Sequence, residues 1–245
     1  MQNTPGHTPL HFADREVAIL RDICKAIPIS PVDPGQHRHK IIAHLPHYSI
    51  FHFAGHGYTD SVDPLQSHLV VYDDTITVAT LLEMNFRERS PFLAYLSACG
   101  TGRIKDDRFL DESIHLISAC QLAGFRHVIG TLWEVNDELC VEMARVTYEG
   151  IRDRGMTDES VCLGLHKASR ELRDSWLKSR DMANDRKRRD STFVSNEYET
   201  GMTNIHDGNN GDSRLPRDGD LCIEDDQDHE EESPALWIPY VHFGV

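Results

Sequence analysis

Cys99 and His56 are the two residues whose types and surroundings allow covalent chemistry as a pair. Cys99 closes an apolar run and is followed at once by small residues, in Ser97-Ala98-Cys99-Gly100-Thr101-Gly102. His56 closes another apolar run and stands between Gly55 and Gly57. A cysteine attacks a carbonyl as thiolate, so it needs a depressed pKa or a base at hand, and histidine can be that base. The chemistry in view is acyl transfer at an amide. The N–H groups of Cys99 and Gly57 would bind the oxyanion that develops during attack. Glycine at 57 leaves room for a substrate backbone to approach. Against this stands the commonest fate of a free cysteine, which is to be buried and inert. Residue type alone leaves both readings open.

The other candidates are weaker. Cys120, Cys140 and Cys162 fall inside helical patterns, Cys24 lies on an apolar helix face, and Cys222 sits in a polar tract. His52, between Phe51 and Phe53, reads as a satisfied core histidine, and its spacing to His56 belongs to a strand rather than to a zinc-binding helix. Ser97 is not in a G-x-S-x-G elbow. No phosphate-binding glycine loop follows a strand, so nucleotide binding has no support. His37, His39, His44 and His47 crowd one region without ligand spacing and read as solvated positions. A zinc-dependent hydrolase built on them is the third-ranked alternative, and no metal or cofactor is expected.

Strands must deliver the two reactive residues to one rim. The near-continuous apolar stretch 49–54 predicts a strand buried on both faces, and residues 92–99 and 127–133 predict two more. Helices are predicted up to residue 26, with Val17, Leu20, Ile23, Cys24 and Ile27 on one face, and over 40–45, 78–84, 110–123, 137–154 and 160–177. Asn136 or Asp137 is available as an N-cap. A small hairpin is predicted from the runs 68–72 and 75–78. Alternating strands and helices imply an α/β sheet, parallel at its centre, with helices on both faces. Ligands bind such sheets outside the carboxyl ends of the strands.

Residues 178–233 are rich in Asp, Asn, Gly, Arg and Glu and lack an apolar period, so they read as a disordered acidic insertion. Residues 235–245 regain strand composition and are expected to complete the sheet. The chain is therefore read as one domain, 1–245, with the insertion inside it. The remaining residues suffice to bury roughly 70% of the unfolded surface.

The net charge of −15 argues against nucleic acid and anionic membrane as partners. No apolar run reaches the roughly 18 residues that span a bilayer. The first residues lack the basic start and apolar segment of a signal peptide. Six scattered cysteines without C-x-x-C pairs form neither a disulfide framework nor a zinc knuckle. A reducing, cytoplasmic setting is expected. The basic cluster 186–189 offers the nucleus as an alternative, although its acidic flanks make a solvated loop the better reading.

Three ordered motifs together carry a family resemblance. The run Phe51-His52-Phe53-Ala54-Gly55-His56-Gly57, then Leu96-Ser97-Ala98-Cys99-Gly100-Thr101-Gly102, then 121–137 through Trp133-Glu134-Val135-Asn136-Asp137, resembles a CHAT domain, as does the ending around Trp237 to Gly244. The resemblance implies a caspase-like α/β/α sandwich, grouped with separases and caspases among His-Cys peptidases. By position, His56 matches the family's catalytic histidine and Cys99 its nucleophile. Ser97 and Thr101 depart from the caspase signature around the cysteine, so specificity for aspartate is not implied. The segment ending in Asp137 resembles the separase stretch whose acidic residue receives a basic P1 side chain; Asp137 as a helix cap is the equal alternative. Trp133 would wall an apolar subsite or belong to the core. The leading expectation is a cysteine endopeptidase acting on a protein or peptide. The alternative is a catalytically silent interaction module, and a sensor or helical-repeat protein is the partner class the resemblance implies.

Overall fold

The computed structural model describes residues 1–26, 29–60, 62–98, 116–132, 135–199 and 240–244, with backbone alone over 183–199. Helix α1 spans Ala13–Lys25 and buries Ala13, Glu16, Leu20, Ile23 and Cys24 along one side. Its first turn carries Asp14 and Glu16, where negative charge complements the helix dipole. After α2 (Arg38–His44) and a short 3-10 turn comes β1 (Ile50–Gly55). The chain breaks at His56 and starts β2 (Gly57–Tyr58), which pairs with β3 (His68–Val70), itself antiparallel to β4 (Thr75–Thr77). Leu69 faces Ile76 across that last pair, as a hairpin requires. Next follow α3 (Val78–Met84), β5 (Leu93–Ala98), α4 (Leu116–Ala123), β6 (His127–Thr131), α5 (Asp137–Asp153), α6 (Asp158–Glu199) and β7 (Tyr240–Gly244).

The main sheet has the order β1-β5-β6-β7. Strands β1, β5 and β6 are parallel, and β7 runs antiparallel to β6. Alternation along β5 separates two cores. Ala94, Leu96 and Ala98 pack with residues of α2, α3 and α4, while Leu93 and Tyr95 pack with those of α1, α5 and α6. The architecture is the expected α/β/α sandwich. On the second face, α5 and α6 cross where both helices carry glycine. A Cβ on Gly150 would stand 2.8 Å from the Gly164 Cα.

Two expectations need correction. Strand β1 is an edge strand, so Ile50, Phe51 and His52 are only half-buried rather than covered on both faces. Helix α6 continues to Glu199, beyond the predicted end at 177, so the first part of the expected disordered insertion is helical. The physical reason is local: no glycine or proline interrupts 165–200, and Arg, Lys, Glu and Ala favour helix there. The rest of the insertion, 200–233, lies outside the described residues, as does the predicted start of α4.

The chain divides into two compact units, residues 1–174 with 235–245, and residues 175–234. The first holds both sheets. In the second, the described segment is helical, and the Arg180 guanidinium lies 4.8 Å over the Trp176 ring. Among the described residues no helix is long and apolar enough to cross a membrane.

Candidate active site

The register of β1 against β5 pairs Ala54 with Ser97 and Gly55 with Ala98. The residues next in sequence are His56 and Cys99. Both strands thus finish side by side at the carboxyl rim of the parallel sheet. Any side chain larger than glycine at 55 would displace the buried Phe53 ring. A Cβ on Gly55 would stand 2.7 Å from Cζ of that ring.

His56 is half-buried, and its surroundings fix its orientation. Its Nε2 lies 2.9 Å from the Thr8 carbonyl oxygen, and its ring stacks on His7 at 4.9 Å with 26° between the planes. A carbonyl only accepts, so Nε2 carries the proton and Nδ1 is left with a lone pair. The His7 N–H donates to the Thr4 carbonyl at 3.1 Å, which makes the segment before α1 a turn folded onto the rim. The His56 carbonyl accepts from the Val70 N–H at 2.9 Å, tying the break between β1 and β2 to the small sheet. Burial lowers the His56 pKa; the Thr8 bond opposes that, while His7 and the Met1 amino group add to it. Gly57 follows as the first residue of β2, half-buried and paired with Leu69.

Behind the rim lies a recess of about 20 Å³, room for about one water molecule. It is lined by Glu16 from α1, Gly55 from β1, Ser97 and Ala98 from β5, and Asp137 and Cys140 from α5. Asp137 does not cap its own helix. Asn136 does, accepting from the Glu138 N–H at 2.9 Å. The Asp137 Oδ2 instead accepts from the Phe12 N–H at 3.1 Å, at the N-terminus of α1.

Glu16 is 2% exposed and reaches both strands. The Ser97 hydroxyl donates to its Oε2 at 3.1 Å. Its Oε1 stands 3.0 Å from His52 Nε2, close enough for an ion pair but not aligned for a hydrogen bond, so neither atom has one. His52 therefore is not the satisfied core histidine expected. Its Nδ1 lies 3.3 Å from the Tyr148 hydroxyl, and its ring stacks on Tyr95 at 5.0 Å.

Of the expected site residues, His56 and Gly57 are adjacent at the rim, and Asp137 lines the recess below it. Cys99 and Trp133 lie outside the described residues. Sequence reasoning passed over Thr8, His7 and Glu16. Nothing in the run before α1 signals the first two. Glu16 had a signal: it falls four residues before Leu20, on the apolar face of α1. Among the described residues no group of three or more His, Cys, Asp or Glu could hold a metal, and in the histidine-rich region His37 sits 3.1 Å from Asp73.

The main sheet is largely parallel, helices cover both of its faces, and His56 follows the carboxyl end of β1. A family model, the CHAT domain, matches residues 2–245, and the chain belongs to that family. The family is associated with caspase-like cysteine peptidases. No curated protein matches the chain.

Proposed function

We propose that the chain is a cysteine endopeptidase working with a His56–Cys99 dyad. The register that ends β1 and β5 together is the observation that carries this reading. The Thr8 bond supports it by leaving His56 Nδ1 as the basic atom. Nδ1 takes the Cys99 thiol proton, and the thiolate forms a C–S bond at the substrate carbonyl. The Gly57 and Cys99 N–H groups bind the oxyanion. The Nδ1 proton passes to the amine as the C–N bond breaks, leaving a thioester. Water then loses a proton to Nδ1, attacks the thioester and releases the Cys99 thiolate.

The carboxylates of Glu16 and Asp137 line the recess and would attract a basic P1 side chain, for which the recess would have to widen on binding. Asp137 holds Phe12 through Oδ2, so its other oxygen would make one charge-assisted bond to a guanidinium. Trp133 would wall the neighbouring subsite. A helical-repeat or other sensor protein is the partner class that would control such an enzyme. Labelling by an arginine-directed covalent peptide tests the reading: it is lost in Cys99→Ala, and unchanged labelling in that variant would sink the assignment. A silent interaction module is the second reading, favoured by the small volume of the recess, which admits no side chain as it stands. That reading expects neither labelling nor cleavage.

A further inference from the structure

A carboxylate is almost never fully buried unless it is paired. Glu16 is buried, and its two oxygens are divided between two strands. Oε2 accepts from Ser97 on β5, and Oε1 stands 3.0 Å from His52 on β1. Ser97 is two residues before Cys99, and His52 is four before His56. We propose that Glu16 is a positioning residue for the His56–Cys99 pair, its single carboxylate fixing the relative height of β1 and β5 just below the rim. The inference rests on the dyad reading given above.

Stability does not account for this arrangement. Buried ion pairs are weak stabilisers, and replacing one with apolar residues of similar volume is often neutral or better. Here the pair is poorer still, because Glu16 Oε1 and His52 Nε2 lack an aligned hydrogen bond. What the carboxylate supplies is geometry: a directional bond to one strand and a charge contact to the other. His52 cannot swing away, being held between the Tyr95 ring at 5.0 Å and the Tyr148 hydroxyl at 3.3 Å. Tyr95, Tyr148 and Tyr240 face the same charge. Burial first, with Glu16 among the further causes, raises their pKa values well above the usual tyrosine range, so they stay neutral. Cys140 lines the same recess, and the Met1 amino group feels the Glu16 charge.

Alkylation of Cys99 by iodoacetamide, followed by peptide mass mapping as a function of pH, tests the proposal without knowledge of a substrate. In the wild-type chain the thiolate should form below the usual cysteine range, and His56→Ala should abolish that. Glu16→Gln should slow alkylation at neutral pH by roughly 10–100-fold, the scale of a small misplacement. Ser97→Ala should slow it too, and add less in the Glu16→Gln background than alone. The double variant Glu16→Met/His52→Leu should melt no lower than wild type yet show the same loss of reactivity. A folded double variant with the wild-type pH profile overturns the role of Glu16. If that variant fails to fold, a wild-type profile in Glu16→Gln overturns it instead. A wild-type profile that His56→Ala leaves unchanged removes the dyad itself, and this role with it.

Discussion

The proton on His56 is placed by a backbone atom. Because the Thr8 carbonyl accepts from Nε2, the tautomer is set before any substrate arrives. Burial lowers the pKa of the ring, so it stays neutral to lower pH than an ordinary histidine near 6.5. A general base must be neutral, so the acid limb of kcat/KM for peptide cleavage is expected below 6.5. His7→Ala, which removes a stacked ring and a neighbouring charge, should move that limb toward higher pH. On the proposed reading Asp137 has two separable duties, holding the Phe12 N–H and receiving a basic P1 side chain. Asp137→Asn keeps an acceptor for the Phe12 N–H and removes the charge, so stability should hold while preference for a basic P1 side chain falls. Asp137→Ala should in addition lower stability by about 1 kcal/mol, the typical net value of one hydrogen bond. Thermal melts and a P1-varied peptide set distinguish the two. Gly55-His56-Gly57 was legible in the sequence because an apolar strand stopping at small residues is a local pattern. Thr8 was not, since a carbonyl in a turn leaves no trace in residue type.

At the scale of elements, alternation and apolar run length made β1, β5 and β6 legible, together with the hairpin of β3 and β4. The edge position of β1 was not legible, because strand order is a tertiary property. Strand β7 is tied in by side chains as well as by its ladder. The buried His127 donates from Nε2 to Asp158 Oδ1 at 2.8 Å, and its Nδ1 lies 3.1 Å from His242 Nε2. Burial first, then the neighbouring His127, lowers the His242 pKa to about 4. Its folded pKa lies below the unfolded value, so the unfolded chain binds the extra proton. The stability it contributes is present above about pH 6.5 and is lost as pH falls toward about 4. His242→Gln should therefore melt with a weaker dependence on pH through that window than wild type does. Where α5 and α6 cross, a Cβ on Gly164 would stand 2.7 Å from the Thr147 carbonyl oxygen. Gly164→Ala should lower stability by about 1–3 kcal/mol, read in denaturant melts.

For the molecule as a whole, the sequence showed the layering of sheet and helices better than it showed where the helical signal stops. Helix α6 outran its predicted end because polar, charged residues lose the amphipathic pattern while keeping helix propensity. The signal of Glu16 was ambiguous for the opposite reason: a charged residue on an apolar face looks like an interruption until the partners Ser97 and His52 arrive from distant strands. The acidic balance of −15 and the two carboxylates of the recess agree in sign, which is the sign that the proposed basic substrate requires. The central claim is that His56 and Cys99 form a working dyad. Cleavage of a peptide library by the wild-type chain, set beside Cys99→Ala and His56→Ala, tests it most directly. The account predicts cuts after basic residues with the wild-type chain and losses of several orders of magnitude in both variants. Cleavage that persists in Cys99→Ala, or a wild-type chain that cuts nothing, would contradict it.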